Sequence, residues 1–440
     1  MRWLVDAIYL CAAAALAPLV AYRAYATGKY RSDWDQRRGH VPDLPAGRTR
    51  VWVHAVSVGE VNAVRGLVQA WRTRSPETEI ILSTTTDTGI ARARQLFPDL
   101  MVIRYPLDLS WCVSRALDRI KPSLVVLVEL EVWYQFATLA AGRGIPVCVV
   151  NGRLSERSCR RFAWVGPVVR QMFGSLAWVG AQDEAYAARF RRMGVPGDRV
   201  AVTSSMKWDT ADLADTIAGS EVAAAALGLD PGRPIWVCGS TGPGEEEVAL
   251  AALQRLWAVH PGLQVILVPR KPERFDEVAD LIVKKGFTCV RRSESPDGTT
   301  RSAGEGAVFL GDTMGELRKF YSIADVVFVG RTLAKMGGSD MMEVAALARP
   351  VVVGPHTENF ADTMRQFQAG GGVRVLRSDL EVGEPALELA GVIDALLADP
   401  EAAKALGAAG REVVKRNRGA IDRTLDALME RMPHAKQHTA

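Results

Sequence analysis

The chain opens with an almost continuously apolar stretch from Trp3 to Tyr22, which only Asp6 interrupts. About 20 apolar residues are enough for a helix to cross a bilayer. A cleaved signal peptide fits less well, because its apolar region is shorter and its positive residues come mainly in front, whereas Arg2 alone precedes this stretch. The pattern therefore predicts a membrane-anchor helix within residues 1–25, and no second span is predicted.

The residues behind the anchor indicate which side of the membrane the chain occupies. They are rich in basic side chains, namely Arg23, Lys29, Arg31, Arg37 and Arg38. By the positive-inside rule this places the following domains in the cytoplasm, and Tyr22, Tyr25 and Tyr30 suit the headgroup region. Because the middle of the stretch is rich in Ala, two arrangements stay open: a helix that spans the bilayer and one that lies shallowly in its interface.

Beyond the anchor, short apolar runs rich in β-branched residues alternate with helical patterns, which is typical of parallel sheets built from βαβ units. In the first half the predicted strands are Val51–Val56, Ile80–Thr84, Leu124–Val128, Val147–Val150 and Val200–Thr203, with helices such as Trp111–Ile120 and Glu184–Met193 between them. The second half begins again at Pro234, and its predicted strands are Ile235–Cys238, Val265–Val268, Val308–Leu310, Val326–Val329 and Val351–Val353. The pattern therefore predicts an α/β fold with two doubly wound domains.

The division between the domains is predicted within the Ala- and Asp-rich segment Thr210–Arg233, which ends in a turn-prone Asp-Pro-Gly. This gives one domain over residues 26–215 and a second over 216–440. The tail from Leu387 to Met432 is predicted to be helical throughout, and its last helix is expected to pack back across the domains. Two doubly wound domains create a cleft between the carboxyl edges of their sheets, where ligands usually bind.

Composition narrows the class of protein without identifying a function. The 440 residues are 48% hydrophobic and 24% charged, which excludes a generally disordered chain. The 54 Lys and Arg against 50 Asp and Glu give a net charge of +4, too little for a dedicated nucleic-acid binder. Six cysteines lie far apart with no C-x-x-C pair, so neither a zinc ribbon nor a disulfide framework is predicted, and a reducing compartment is the simpler inference.

The candidate chemistry lies where predicted strands end. After the first strand comes His54–Glu60, in which Ser57 and Gly59 allow a tight turn and Glu60 falls at the start of a helix. The helix dipole favours the anionic form of a carboxylate there, so Glu60 is a candidate proton acceptor. The spacing of Ser57 and Glu60 also fits a capping box, which is a purely structural role. Spacing alone leaves both interpretations open.

Two further junctions of the first half carry charge. Glu129 and Glu131 follow a very apolar strand, where carboxylates are costly unless they are used or paired. A structural salt bridge is the alternative interpretation. Arg153 lies within Asn151–Ser155, at the next strand end, and could pair with one of these acids or bind an anionic ligand.

Four junctions of the second half suit an anionic ligand when they are taken together. They are Gly239–Gly244, Pro269–Phe275 with the adjacent cations Arg270 and Lys271, Gly311–Leu317, and Gly337–Glu343. Glycine turns and helix starts offer N–H groups to phosphate, and a carboxylate such as that of Glu343 can accept bonds from both hydroxyls of a ribose. These junctions predict a nucleotide-phosphate site facing an acid in the other domain. The missing G-x-G-x-x-G fingerprint disfavours a dinucleotide-dependent dehydrogenase.

Several of these motifs resemble those of the 3-deoxy-D-manno-octulosonic acid (Kdo) transferase family. The resemblance rests on VWVHAVSVGE at Val51–Glu60, Glu129 and Glu131 with Trp133, Asn151–Ser155, PR-x-PERF at Pro269–Phe275, GDTMGEL at Gly311–Leu317, GG-x-x-x-x-E at Gly337–Glu343, and Gly354-Pro355 with Asn359-Phe360. It implies a GT-B glycosyltransferase with two Rossmann-like domains, the first for the acceptor and the second for the donor CMP-Kdo. At the cytoplasmic face of the inner membrane it would move Kdo to a lipid A precursor, lipid IVA. The transfer would proceed with inversion, without a metal or other cofactor and with no nucleic-acid partner.

The resemblance also implies roles for individual residues. Glu60 would be the general base that deprotonates the acceptor hydroxyl, Arg270 would bind the CMP phosphate and stabilise the leaving group, and Glu343 would bind the ribose. The remaining donor-side residues would be Pro269, Met314, Gly315, Glu316, Asp340, Met341 and Met342. Acceptor-side residues, or residues near the reacting centre, would be Ser57, Gly59, Glu129, Glu131, Arg153 and Lys207. The basic residues Arg157, Arg160 and Arg161 could meet acceptor phosphates or anionic lipids, or form a solvated helix face.

The chain departs from the family pattern around these positions. Ser339 and Asp340 stand where His and Asn are usual, Gly242 and Lys271 each replace a His, and Tyr134-Gln135 replaces Pro-Asn. Ser205-Met206-Lys207 keeps only the lysine of its motif. Asp340 cannot donate the amide N–H that Asn would supply. Two alternatives therefore stay open: a GT-B enzyme that uses another nucleotide sugar, and a non-catalytic membrane-anchored scaffold derived from the family.

Overall fold

A computed structural model describes residues 2–27, 32–295 and 306–432. The chain forms two compact units, Met1–Thr210 with Asn417–Ala440 and Ala211–Arg416. In the described part, each unit has one sheet of seven parallel strands. The prediction of an α/β fold with two doubly wound domains is therefore confirmed.

The sheet of the first unit has the strand order β3-β2-β1-β4-β5-β6-β7. Its strands are β1 (Arg50–His54), β2 (Glu79–Thr84), β3 (Met101–Arg104), β4 (Leu124–Val128), β5 (Val147–Gly152), β6 (Trp178–Ala181) and β7 (Val200–Val202). Its helices before the second unit are α1 (Arg2–Thr27), α2 (Trp34–Arg37), α3 (Val58–Ala63), α4 (Arg65–Arg74), α5 (Asp87–Leu96), α6 (Ser110–Ile120), α7 (Tyr134–Gly142), α8 (Glu156–Ala163), α9 (Gly166–Gly174) and α10 (Glu184–Met193).

Apolar side chains cover both faces of this sheet, as the continuous apolar runs predict for parallel strands. Trp52 of β1 is fully buried in a cluster with side chains of helices α6 to α10. Its neighbours Val51 and Val53 point the other way and pack with residues of α4 and of the last helix, α19 (Ala420–Met429). Alternation along a single strand therefore builds two hydrophobic layers from one sheet.

The sheet of the second unit has the strand order β10-β11-β9-β8-β12-β13-β14. Its strands are β8 (Ile235–Thr241), β9 (Gln264–Pro269), β10 (Thr288–Arg291), β11 (Ala307–Leu310), β12 (Val326–Val329), β13 (Val351–Val353) and β14 (Arg374–Val375). Its helices are α11 (Ser220–Leu227), α12 (Glu245–Leu256), α13 (Phe275–Lys284), α14 (Leu317–Ile323), α15 (Met342–Ala346), α16 (Ala361–Ala369), α17 (Pro385–Ala398) and α18 (Pro400–Asn417).

Each sheet changes the direction of its strand order once near its centre, which creates a topological switch point. In the first unit the switch lies between β1 and β4, and in the second unit between β8 and β12. In open α/β sheets, ligands bind at such points beyond the carboxyl ends of the strands. The loops that follow β1, β4, β8 and β12 are therefore the places to look for a site.

The end of the chain is organised differently from the predicted domains 26–215 and 216–440. The tail is helical, as predicted, but residues 417–440 are grouped with the first unit, and the first division falls between Thr210 and Ala211. The physical reason is burial: Leu425 and Leu428 of α19 lose all solvent contact against the first sheet's apolar face.

One helix in the described part of the chain, α1, is long and apolar enough to cross a membrane by length and composition, over Arg2–Leu19. It corresponds to the predicted anchor. Of the flanking residues predicted to interact with the membrane, Lys29, Tyr30 and Arg31 lie outside the described residues.

Candidate active site

Glu60 lies directly beyond β1, in the first turn of α3, and both of its carboxylate oxygens accept hydrogen bonds. Ser57 Oγ donates to Oε1 at 3.0 Å, and the Val56 N–H donates to Oε2 at 2.9 Å. In return, Ser57 Oγ accepts from the Glu60 N–H at 3.4 Å. The Ser57 half of a capping box is therefore present, while the Glu60 carboxylate reaches back to the N–H of Val56, one residue before the N-cap. These bonds hold the carboxylate in one orientation at the switch point.

The environment of Glu60 gives the carboxyl group unusual acid–base behaviour. Burial raises its pKa from 4.5 to about 7, against the opposing effect of the Val56 and Ser57 hydrogen bonds, and the negative charges of Glu131 and Glu129 raise the pKa further. A carboxyl with a pKa near 7 takes and releases a proton readily at neutral pH. The capping role and the proton-acceptor role are thus compatible in the same side chain.

The two neighbouring acids follow β4, on the other side of the switch point. Glu129 adopts a left-handed backbone conformation, with φ of 59°, which is uncommon for a residue with a side chain and is typical of functional loops. The Trp133 indole N–H donates to Glu131 Oε2 at 3.1 Å, and burial raises the pKa of Glu131. The structure thus brings Glu60, Glu129 and Glu131 close enough together for their charges to interact.

Arg153 and Lys207 reach the same edge of the first sheet by different routes. Arg153 Nε donates to Tyr186 Oη at 3.2 Å. The turn that carries Lys207 is tied to β5 by Asn151, whose buried Oδ1 accepts from the Met206 N–H at 3.2 Å. In the described part of the chain the exposed Lys207 ammonium has no hydrogen-bond or ion-pair partner.

In the second unit, Glu245 joins the two loops at the switch point. Its fully buried carboxylate accepts N–H hydrogen bonds from Gly242 (2.8 Å), Arg331 (2.5 Å), Thr332 (2.8 Å) and Leu333 (2.8 Å). The loops come so close that a Cβ on Gly330 would lie 2.5 Å from the Thr241 Cα, so only glycine fits there. Sequence reasoning missed this role of Glu245, because three of its four donors lie 86–88 residues further along the chain.

The basic turn after β9 contains one cation that is bound within the fold and two whose side chains are exposed. Arg274 binds the buried Glu246 through two hydrogen bonds of 2.7 and 3.0 Å. Pro269 ends the strand in register with Thr241, and the Arg270 N–H donates to Thr241 O at 3.0 Å. The exposed side chains of Arg270 and Lys271 have no ion-pair partner among the described residues, so they are free to bind an anion.

The segment Met314–Glu316 precedes α14. It contains an exposed side chain and a carboxylate that is already bonded to its neighbours. The Met314 side chain is 69% exposed, and Gly315 has φ of 83° with open space where a Cβ would stand. The Glu316 carboxylate is bonded to Thr313 (2.6 Å), Lys319 (2.9 Å) and Arg292 (3.0 Å). Although burial opposes it, these contacts hold the pKa of Glu316 below its ordinary value, so this carboxylate stabilises the loop as an anion.

The segment from Asp340 to Glu343 presents carboxylates in front of a buried apolar pair. Met341 and Met342 are buried in the core, so their side chains are unavailable to a ligand. Asp340 Oδ1 accepts from the Met342 N–H at 2.8 Å. Burial and the charge of Asp340 raise the pKa of the half-buried Glu343, while Arg318 and Arg270 lower it. Arg318 was missed in the sequence because it lies just beyond the GDTMGEL motif.

The chain is similar in sequence to known proteins over most of its length. The family described as "3-Deoxy-D-manno-octulosonic-acid transferase (kdotransferase)" matches residues 32–210. The 3-deoxy-D-manno-octulosonic acid transferase of Haemophilus influenzae is 36% identical over 86% of this chain and 86% of its own length. That of Bordetella pertussis is also 36% identical, with the same two coverages.

Among solved structures, the similarity extends to more distant proteins with the same architecture. The UDP-GlcNAc 2-epimerase from Neisseria meningitidis bound to UDP-GlcNAc has a TM-score of 0.54 and is 13% identical, covering 87% of this chain and 100% of that chain. At that identity the likeness concerns the GT-B fold alone. The curated relatives are closer and cover most of both chains, and the chain belongs to the Kdo transferase family of glycosyltransferases.

Proposed function

We propose that this glycosyltransferase moves Kdo from CMP-Kdo to lipid IVA, a lipid A precursor, with inversion and without a metal ion. The observation that carries the proposal is the Glu60 carboxyl, which is held by two hydrogen bonds at a switch point and has a pKa of about 7. Transfer to a hydroxyl needs a group that removes the hydroxyl proton as the new bond forms. Glu60 is suited to that role at neutral pH.

The proposed reaction is a single displacement. Glu60 takes the proton of the acceptor hydroxyl while the hydroxyl oxygen forms a bond to the anomeric carbon of Kdo. The bond between that carbon and the CMP phosphate oxygen breaks, and its electron pair leaves with the phosphate. Arg270, a cation without an ion-pair partner in the described part of the chain, stabilises the negative charge that develops on the leaving group. Attack from the side opposite to the leaving group inverts the anomeric centre.

The donor residues would act mainly through backbone groups and two charged side chains. Glu343 would accept hydrogen bonds from the ribose hydroxyls of CMP. Met314, Gly315 and Glu316 would hold the nucleotide through their backbone, because the Glu316 carboxylate is already bonded to Arg292, Thr313 and Lys319. Pro269 would set the direction of Arg270, and Asp340, Met341 and Met342 would shape the turn in front of Glu343.

The acceptor residues would surround the base. Ser57 orients the Glu60 carboxylate, and Gly59 keeps the approach to it open. Burial keeps the pKa of Glu60 high, and the charges of Glu131 and Glu129 raise it further. Arg153 and the exposed Lys207 are cations suited to the phosphates of a phosphorylated lipid. A membrane-bound acceptor also accounts for the apolar N-terminal helix, and we place the protein at the cytoplasmic face of the inner membrane.

Metal independence is part of the same proposal. In the proposal Arg270 neutralises the charge for which other transferases use a metal ion. Turnover should therefore be the same with and without a strong chelator.

The decisive experiment measures the mass of the lipid product after membranes carrying the full chain are incubated with CMP-Kdo and lipid IVA. A mass increase by one or more Kdo units is expected, and Glu60→Gln should reduce its rate at least about a hundredfold while the protein stays folded. Glu77→Gln, an exposed carboxyl far from the switch point, is the matched control. Turnover by Glu60→Gln at the rate of this control would refute the base assignment, and protection against thermal unfolding by UDP instead of CMP would refute the donor.

A further inference from the structure

The first turns of helix α1 are part of the folded first unit. Asp6, the one charge in the apolar stretch, is only 3% exposed, and Val5 beside it is 5% exposed. The Asp6 carboxylate accepts from the N–H of Ser110 (2.8 Å), from Ser110 Oγ (2.5 Å) and from Gln135 Nε2 (2.9 Å). The charge that interrupts the anchor is therefore used to fix the start of the helix to α6 and α7.

The chain behind α1 is fixed to the same unit. Arg104, at the end of β3, is 2% exposed. Its Nε donates to Asp33 Oδ2 at 2.9 Å, and its Nη2 donates to Ser32 Oγ at 3.1 Å. Arg104 and Ser110 are six residues apart. Both ends of the anchor segment are thus attached to one short piece of the first unit.

The lengths of chain between these attachments limit how deep α1 can go. From Asp6 to Thr27 the helix extends about 32 Å at 1.5 Å per residue. The five residues from Thr27 to Ser32 reach about 18 Å at most. The hydrocarbon core of a bilayer is about 30 Å thick. If the folded unit lies on one side of the membrane, Thr27 cannot reach the other side while Asp6 and Ser32 stay attached.

We infer that α1 enters only the cytoplasmic leaflet of the membrane and that both of its ends remain on the cytoplasmic side. The lipid-facing part is the segment from Leu10 to Leu19, in which Leu10, Leu16 and Leu19 are about half exposed in the folded chain. Tyr22 and Tyr25, which are 68% and 83% exposed, then lie at headgroup depth.

Two features of the helix agree with this shallow insertion. Pro18 lies inside α1 and cannot donate a backbone hydrogen bond, so it weakens the helix where a bend toward the interface is needed. Lys29 and Arg31 follow the helix, and a charged side chain in the hydrocarbon core is costly. The cost of burying these two charges in hydrocarbon therefore favours an insertion shallower than the full reach of the helix.

Cysteine labelling in inner-membrane preparations tests this topology, independently of sugar transfer. Trp3→Cys and Leu16→Cys are each made in a Cys11→Ser background. Cys112, Cys148, Cys159 and Cys238 are buried, and the partly exposed Cys289 reports the cytoplasmic side. A membrane-impermeant maleimide should label position 3 in inside-out vesicles and leave it unlabelled in intact spheroplasts. Position 16 should react only after detergent is added.

Two results would overturn the inference. Labelling of position 3 in intact spheroplasts would show that the helix spans the bilayer, and labelling of position 16 in inside-out vesicles without detergent would show that the helix is outside the lipid. Because the assay reads topology alone, either result would leave the proposed transfer reaction untouched.

A variant that weakens the attachment of Asp6, called here the dock variant, tests whether the Asp6 contacts determine the topology of α1. Ser110→Ala with Gln135→Leu removes the two side-chain donors to Asp6, keeps only the Ser110 backbone N–H, and leaves the sequence of the anchor unchanged. Labelling of position 3 in spheroplasts should then rise above background, because the helix start is released. A matched control is Ser114→Ala with Gln95→Leu, which changes the same residue types elsewhere in the first unit. If the dock variant labels like the control, the Asp6 contacts do not fix the helix, and that part of the inference is wrong.

Discussion

The pKa of the Glu60 carboxyl is about 7 chiefly because the side chain is buried, and the charges of Glu131 and Glu129, which come from a different loop, raise it further. The hydrogen bonds from Val56 and Ser57 hold the same carboxyl in one orientation. The structure thus gives a physical reason for choosing the catalytic interpretation without discarding the capping one.

The pH dependence of turnover tests this interpretation directly. A base must be deprotonated to act, so kcat/KM should fall as the pH drops below about 7, the pKa of Glu60. Glu60→Gln should lower kcat between about a hundredfold and ten-thousandfold. It should also remove the decrease below pH 7, which is the acidic limb of the pH profile. Because the charge of Glu131 raises the pKa of Glu60, Glu131→Gln should move the limb to lower pH. A limb that stays in place in Glu131→Gln would contradict the assignment.

The same pKa has a consequence for stability, with a definite sign. The unfolded chain releases the Glu60 proton near pH 4.5, whereas the folded protein keeps it up to about pH 7. Folding is therefore weakened as the pH rises from about 4.5 to 7. The Tm of Glu60→Gln minus that of the wild type should increase between pH 5 and pH 8, and a constant difference would show that the folded pKa is ordinary.

A substitution at Gly59 can show whether this glycine is needed for the fold or for activity. An added Cβ there would meet only Ser57 Oγ, at an ordinary 3.7 Å, and Gly59 lies in the first turn of α3 with no left-handed φ. Gly59→Ala should therefore raise stability, by up to about 1 kcal/mol, while lowering turnover if the acceptor passes over this residue. Thermal unfolding and product formation are measured on the same samples. Full activity would remove Gly59 from the acceptor side.

Asp340 stands where Asn is usual in the family, and the effect of this charge on nucleotide binding can be tested by restoring Asn. Its charge raises the pKa of Glu343 and would repel the proposed anionic donor. Asp340→Asn keeps an oxygen for the Met342 N–H bond, and should tighten CMP binding between about threefold and tenfold, the effect of about 1 kcal/mol. Calorimetric titration with CMP measures it, and Asp280→Asn, an exposed site on α13, is the matched control. Unchanged affinity in Asp340→Asn would place the carboxylate away from the bound nucleotide.

At the scale of elements, strands were predictable where burial on both faces produces an uninterrupted apolar run. The observed β4, β12 and β13 have the predicted bounds. The short strands β3, β6, β10 and β14 were not predicted. They carry a glycine or polar residues, or consist of only two residues as in β14, so their pattern is too weak to recognise. The order of strands depends on pairings between distant segments and is not encoded in any local pattern.

Glu245 and the backbone N–H groups that bind it form a clamp between two loops, and this contact could not be predicted from the sequence. Four backbone N–H groups from two loops converge on one carboxylate. In Glu245→Gln, the amide nitrogen would face N–H donors, leaving buried groups unpaired at a cost of at least about 2 kcal/mol. We expect a clear loss of stability by urea unfolding, and none for Glu247→Gln, an exposed residue on the same helix. Equal stability of the two variants would show that the loops hold without the clamp.

At the scale of the whole molecule, the chain enters the second unit at Ala211 and returns to the first at Asn417. The return is fixed by Asp209, whose carboxylate accepts from the N–H groups of Gly419 (2.6 Å) and Ile421 (2.7 Å). The sequence predicted that the final helix packs back across the domains, and the helix does return to the first unit. The surface that it covers was not predictable, because an apolar stripe shows that a helix is buried but does not show which side chains bury it. The first unit is therefore completed only when α19 has been made.

This connection predicts that a change near the chain end acts on the first unit. Leu425 in α19 and Leu389 in α17 are both fully buried, and replacing either by Ala should cost about 2–5 kcal/mol. Leu425→Ala should speed hydrogen exchange in β1, β2 and β4, whereas Leu389→Ala should speed it in β8, β9 and β12. Exchange read by mass spectrometry on peptides from each sheet separates the two. Because α19 shares its apolar cluster with the first sheet, faster exchange of the second sheet in Leu425→Ala would mean that the two units unfold as one.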